Sequence, residues 1–136
     1  MTTRVVVLGA GYAGAGAISK LESELGADTE LVWISDTDYH LVLHEAHRVI
    51  RDPDVKSKIT IPVEDIKSRS TRFVHDAVAD IDTDERVVEL EDGDDESYDY
   101  LVVGIGSDTA TYGIEGMDEH PLTLKGLDDA LEIHEQ

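Results

Sequence analysis

The segment RVVVLGAGYAGAGAISKLESELG, residues 4–26, constrains the fold more than any other part of the chain. Arg4 to Leu8 is a continuous apolar run, as a strand buried on both faces of a parallel sheet requires. Glycines follow at 9, 11, 14 and 16. Ala17, Leu21 and Leu25 then recur at i, i+4 and i+8 with Ile18 beside them, while Lys20, Glu22 and Glu24 are polar. That pattern predicts an amphipathic helix ending near Gly26. ELVWIS, Glu30 to Ser35, is a second apolar strand. A strand, a helix and a strand in that order make a βαβ unit, for which a right-handed crossover is the default.

Gly9, Gly11 and Gly14 form a G-x-G-x-x-G pattern between strand and helix. Each position has its own task. Gly9 permits the sharp turn off the strand, Gly11 lets a pyrophosphate approach a backbone without Cβ, and Gly14 lets helix and strand pack closely. The first-turn amides and the helix dipole favour phosphate charge. The context predicts a dinucleotide cradle built on Gly9, Gly11, Tyr12, Ala13 and Gly14, with Tyr12 contributing through its backbone. The ribose acid is expected about twenty residues past the third glycine. Ser35 lies 21 positions beyond Gly14 and Asp36 lies 22, so the ribose contact stays open between them. No arginine stands at this strand end, which argues against a 2′-phosphate and so against NADP.

The 136 residues are enough for one domain, and 40% are hydrophobic, as in globular chains. No apolar run reaches the roughly 18 residues of a membrane span, and the N-terminus does not resemble a secretory signal. A cytoplasmic location is expected. Cysteine is absent, which removes disulfides, thiolate metal sites and thiol redox steps from this stretch. Thirty-one acidic residues face eleven basic ones, a net charge of −20. Such a surface repels phosphate backbones, so nucleic acid is not an expected partner. With only five lysines, the composition resembles that of haloarchaeal proteins, whose surfaces work in screening salt.

Further along, DTDYHLVLHEAHRVIRDPD is polar and partly helical, and KITIPVEDI gives a short extended piece around Pro62. RFVHDAVADIDTDERVVELEDG alternates and predicts two antiparallel strands joined near DTDE. EDGDDES reads as a solvated hairpin tip. YDYLVVGIG is a returning apolar strand that ends in glycines. LKGLDDALEIHEQ places Leu124, Leu127 and Leu131 at helical spacing, in a helix that the chain does not terminate. That ending suggests a fragment or excised domain of something longer. The predicted fold class is α/β, a Rossmann-like parallel sheet with an antiparallel β excursion.

Three motifs carry a family resemblance over nearly the whole chain, from Arg4 on. VVVLGAGYAG, YHLVLHEA, and YDYLVVGIGS followed by GIEG resemble the FAD-binding half of type II NADH dehydrogenases, in the pyridine nucleotide-disulfide oxidoreductase superfamily. The resemblance implies FAD held by the first loop, by the acid after the second strand, and by a backbone clamp on adenine at Val78. Gly104, Gly106 and Ser107 would lie near the ribityl or pyrophosphate part. It also implies hydride passing from NADH to the flavin, and electrons from there to a quinone. No side chain of this stretch is then required as a general acid or base, so no catalytic residue is named. Quinone would be the acceptor of the full protein. Peripheral contact with the inner face of the cell membrane would come from a C-terminal part that this stretch lacks, and a homodimer is compatible with the family.

Several positions depart from the family pattern. Gly104 stands where alanine is usual, Glu115 where proline is usual, and Ser35 in the place of the ribose acid. The segment from His40 to LHEA is shorter than usual, and a second glycine-rich loop for NADH is absent. Rival readings are a stand-alone nucleotide-binding or sensor module without redox chemistry, a sulfide:quinone or ferredoxin-type reductase fragment, and an NAD-dependent dehydrogenase fragment. His40, His44 and His47 at i, i+4 and i+7 could share a helical face and bind zinc. The family match explains their segment without metal, and none is expected. Asp99 reads either as a flavin neighbour or as a carboxylate bonding backbone at the strand start. Trp33 is expected to pack in the sheet.

Overall fold

The computed structural model describes residues 2–136, which form two compact units. The first comprises the described residues up to 40 and residues 62–106, and the second residues 41–61 and 107–136. In the first unit, β1 (Thr3–Leu8), β2 (Thr29–Ser35), β5 (Arg72–His75) and β9 (Tyr100–Val103) make a four-stranded sheet in the order β5-β2-β1-β9. Every pairing in it is parallel, with Val7 opposite Trp33 and Val102, and Ser35 opposite His75. The helix α1 (Tyr12–Glu24) links β1 to β2.

The apolar runs of β1 and β2 divide by parity, as side chains alternate across a strand. Val5, Val7, Leu31 and Trp33 pack with Ile18, and with half-buried Ala17 and Leu21 of α1. Val6, Leu8, Val32 and Ile34 pack on the other face against Val88 and Leu90. The second partner layer is a three-stranded antiparallel sheet of β6 (Val78–Asp82), β7 (Val87–Leu90) and β8 (Glu96–Ser97), in sequence order. The first unit is therefore three layers, helix over parallel sheet over antiparallel sheet. Each fully buried valine, leucine or isoleucine contributes about 1.5–3 kcal/mol. This is why β1 and β2 carry no polar side chain between Val5 and Leu8 or between Leu31 and Ile34.

Charge ties the layers at the start of the parallel strands. The Arg72 guanidinium grips Glu96 of β8 through two bonds of 2.6 and 2.8 Å and reaches Glu30 of β2 at 3.4 Å. Arg4 donates to Glu30 at 2.8 Å. The bonded Arg72 holds the Glu96 carboxyl below its ordinary range against the opposing effect of burial, and Glu96 in turn raises Arg72. The Asp99 carboxylate accepts from the Arg4 amide at 2.7 Å, the backbone role open to it at the start of the returning strand.

The second unit is mainly helical. The strands β3 (Tyr39–Leu41) and β4 (Thr60–Pro62) carry the chain out of the first unit and back, and α4 (Val63–Ile66) follows. Between them lie a 3-10 turn (Leu43–Glu45), α2 (His47–Arg51), a second 3-10 turn (Pro53–Val55) and α3 (Lys56–Ile59). The last helix, α5 (Leu127–His134), adds Leu127, Ala130 and Leu131 to a core with Val49, Val55 and Ile59. No helix among the described residues is long and apolar enough to cross a membrane.

Four sequence expectations are corrected. RFVH is not half of an antiparallel pair; it is β5, a parallel edge strand, and the hairpin consists of β6 and β7 alone. Leu25 is the half-exposed C-cap of α1 and lies off its packed face. Leu124 precedes α5, so the helical stripe begins at Leu127. The same helix ends at His134 with Glu135 as its C-cap.

Candidate functional site

The predicted loop joins β1 to α1, and its glycines fall into two kinds. Gly9 has φ +96°, a backbone that L side chains rarely adopt, and a Cβ there would drive into the Gly104 carbonyl. A Cβ on Gly14 would land on the carbonyl oxygen of Gly9, and one on Gly104 would come within 3.0 Å of the Leu8 carbonyl and 3.2 Å of the Gly14 amide. These three glycines are demanded by the chain's own packing, and they bring β1, α1 and β9 together at one point. Gly11 differs. Its backbone is extended, φ −73° and ψ −169°, and a Cβ there would meet no protein atom within 4 Å.

Gly11 is the N-cap of α1 and supplies no side-chain cap. The helical ladder begins with Ala15 N–H donating to Gly11 O, so the amides of Ala13 and Gly14 precede it and receive no cap. No acidic residue occupies the first turn, in a chain where acids outnumber bases almost threefold. The helix end is therefore a local positive site on an anionic protein. A pyrophosphate fits this donor set: an open position without Cβ, with uncapped amides behind it.

The loop is anchored from behind by two ring N–H groups. The buried Trp33 indole donates to the Gly9 carbonyl at 2.7 Å, and His40 Nδ1 lies 2.8 Å from the Ala10 carbonyl. Trp33 packs in the sheet as expected, but its role under the loop was not legible. The available signal was that a buried indole N–H needs an acceptor.

At the end of β2 the two candidates differ. The Ser35 side chain is buried; its hydroxyl accepts from the Thr37 amide at 3.1 Å and lies 3.3 Å from the Thr37 hydroxyl. Asp36 is exposed, and its carbonyl accepts from His75 Nε2 at 3.0 Å. Beside them stands a residue the sequence did not single out. Asp76 donates its amide to the Ser35 carbonyl, and its carboxylate accepts from Ala77 at 2.8 Å, from Gly93 at 2.7 Å and from Asp92 at 3.3 Å. It thereby holds the start of β6, where Val78 sits, to the end of β2. An Asp just after a strand and before a turn was the signal for such a cap.

Gly106 has φ +80° and is the last residue of the first unit, while Ser107 begins the second segment of the second unit, where Lys125 Nζ donates to its carbonyl at 3.0 Å. The histidine triad is not one helical face. His40 is in a strand, His44 in a 3-10 turn and His47 in α2, because the segment breaks into three elements. Tyr12 is exposed, with its ring edge-on to His40 at 4.6 Å.

The sequence model of the pyridine nucleotide-disulphide oxidoreductase family matches residues 3–136. The type II NADH:quinone oxidoreductase of Staphylococcus haemolyticus (strain JCSC1435) is 32% identical over 132 residues, covering 96% of this chain and 33% of the relative. That of Staphylococcus aureus (strain NCTC 8325 / PS 47) is 33% identical with the same coverage. This chain thus spans about a third of the length of these relatives. Among solved structures, NDH2 from Plasmodium falciparum in complex with NADH superposes with a TM-score of 0.84 at 18% identity, over 98% of this chain and 28% of that one. The sulfide:quinone oxidoreductase of Aquifex aeolicus gives 0.81 at 24%, over 98% and 31%. The structural likenesses establish the Rossmann-like α/β fold. With the match running over almost every residue, the chain belongs to the pyridine nucleotide-disulphide oxidoreductase family.

Proposed function

We propose that residues 1–136 act as one FAD-binding domain of a flavin-dependent NADH:quinone oxidoreductase. The observation that carries this reading is Gly11. The polypeptide leaves room for a side chain there and holds a backbone that any residue adopts, so the space in front of this N-cap is open to a bound group. The uncapped amides behind it favour a negative charge on that group, as a pyrophosphate provides. Three features favour FAD over NAD: the antiparallel sheet between β5 and β9, the return of β9 beside β1, and the Gly104-Ile105-Gly106 turn that follows. The quinone oxidoreductases among its relatives point the same way.

In this reading Gly9, Gly11, Tyr12, Ala13 and Gly14 hold the pyrophosphate by backbone. Asp36 takes the ribose hydroxyls, since Ser35 spends its hydroxyl on the turn to Thr37. Val78 clamps adenine by its backbone, and Gly104, Gly106 and Ser107 lie along the ribityl side. The chemistry that FAD supplies when bound is acceptance of a hydride from NADH and release of electrons to a quinone. The chain's own residues orient the cofactor and hold no proton for the reaction. No second glycine-rich strand–helix loop occurs in the 136 residues, so we assign the NADH and quinone sites, and any membrane contact or dimer interface, to other parts of the longer protein. The charge of −20 is assigned to a salt-rich cytoplasm.

The test is the visible spectrum of the chain purified in molar salt and reconstituted with FAD. Retained flavin absorption after desalting is expected. A colourless protein that binds NADH by calorimetry but not FAD would overturn the assignment, as would a folded protein that binds neither.

A further inference from the structure

His40 is a buried titratable side chain that the proposed function does not use. It is 6% exposed, lies in β3, and places Nδ1 2.8 Å from the Ala10 carbonyl oxygen. A carbonyl only accepts, so Nδ1 carries the hydrogen and donates. The ring also meets Tyr12 edge-on, with centroids 4.6 Å apart. The peptide joining Ala10 to Gly11 is planar and trans, so its C=O and N–H point in opposite directions. Holding the Ala10 carbonyl on the buried imidazole therefore turns the Gly11 N–H away from that ring. Trp33 does the same one peptide earlier, by holding the Gly9 carbonyl at 2.7 Å.

We infer that His40 is a positioning residue for the glycine loop: its Nδ1–H fixes the Ala10–Gly11 peptide so that the Gly11 amide is set for a diphosphate. This rests on the FAD reading above. A residue that merely filled space would act through its volume; the geometry assigns the effect to one N–H at one place. The two are separable chemically. Asparagine carries an N–H near the position of the histidine Nδ1, glutamine carries one near Nε2, and phenylalanine fills the space without a donor.

The experiment measures FAD dissociation constants by flavin fluorescence for His40→Asn, His40→Gln and His40→Phe, and the 1H–15N spectra of the same proteins without ligand. Losing one oriented donor is expected to weaken FAD on the order of tenfold in the Phe and Gln variants, with Asn within about threefold of the parent. In the ligand-free spectra the Gly11 amide should move in Phe and Gln and stay in Asn. Affinity that follows side-chain volume, with Phe better than Asn, would overturn the inference, as would Asn and Phe variants that behave alike. If the parent chain does not bind FAD, the functional reading falls, and the Gly11 amide shifts still decide the role of His40.

Discussion

Gly11→Val and Gly14→Ala form a pair that separates what the fold needs from what the ligand needs. Valine at Gly11 enters open space on an extended backbone, and the folded chain loses only N-cap preference, about 0.5–1 kcal/mol. For a chain of this size that lowers Tm by about 2–5 °C. The same Cβ stands where the phosphate would approach. Two charge-assisted hydrogen bonds lost at about 1.5 kcal/mol each weaken FAD by about a hundredfold or more. Alanine at Gly14 gains about 1 kcal/mol of helix propensity, but its Cβ meets the Gly9 carbonyl, and such overpacking costs about 1–3 kcal/mol or more. Gly14→Ala should therefore be the less stable protein. Thermal melts of the ligand-free variants and FAD titration of the parent and Gly11→Val provide the comparison. Retention of FAD by Gly11→Val within threefold, or a ligand-free Gly11→Val that fails to fold, would refute the reasoning.

Three further outcomes are expected. Asp36→Ala should weaken FAD about tenfold with little change in Tm, whereas Ser35→Ala should lower stability by about 1 kcal/mol and leave affinity alone; the reverse pattern would return the ribose to Ser35. Glu96 has its folded pKa lowered by Arg72, so the stability it contributes is present above the ordinary glutamate pKa and is lost as pH falls through the folded value. The Tm gap between the parent and Glu96→Gln should accordingly close on acidification, and a gap constant across the acid range would contradict the pairing. With a net charge of −20, Tm should climb as potassium chloride rises towards molar concentration; a melt indifferent to salt would remove the salt-adaptation reading.

The parts of the fold legible in the sequence were those whose signal is local. The apolar runs of β1 and β2 are continuous because these strands are covered on both faces, and the glycines mark the turn between them; β9 is an edge strand, apolar throughout although Tyr100 and Val103 are exposed. β5 was misread because it is short and polar at both ends: Arg72 and His75 are exposed, Phe73 and Val74 are half-buried, and only Asp76 and Ala77 separate it from β6, so the stretch reads as one strand of a hairpin. The histidine spacing suggested one helix, but Leu41 ends a strand and His47 starts a short helix, so spacing alone could not bring the rings together. At the site the distinction among glycines was not legible, since Gly9, Gly11 and Gly14 are the same letter. Only the three-dimensional neighbours show that a Cβ on Gly14 would meet Gly9 while one on Gly11 would meet no protein atom within 4 Å. His40 and Trp33 reach the loop across 30 and 24 residues, a separation that no short motif records.

The most direct test of the central claim is amide mapping during an FAD titration of the labelled chain. The amides of Gly11, Tyr12, Ala13 and Gly14 are predicted to shift together and to saturate with stoichiometric flavin. FAD binding that leaves these four amides unmoved, or no FAD binding in salt where the chain is folded, would contradict it.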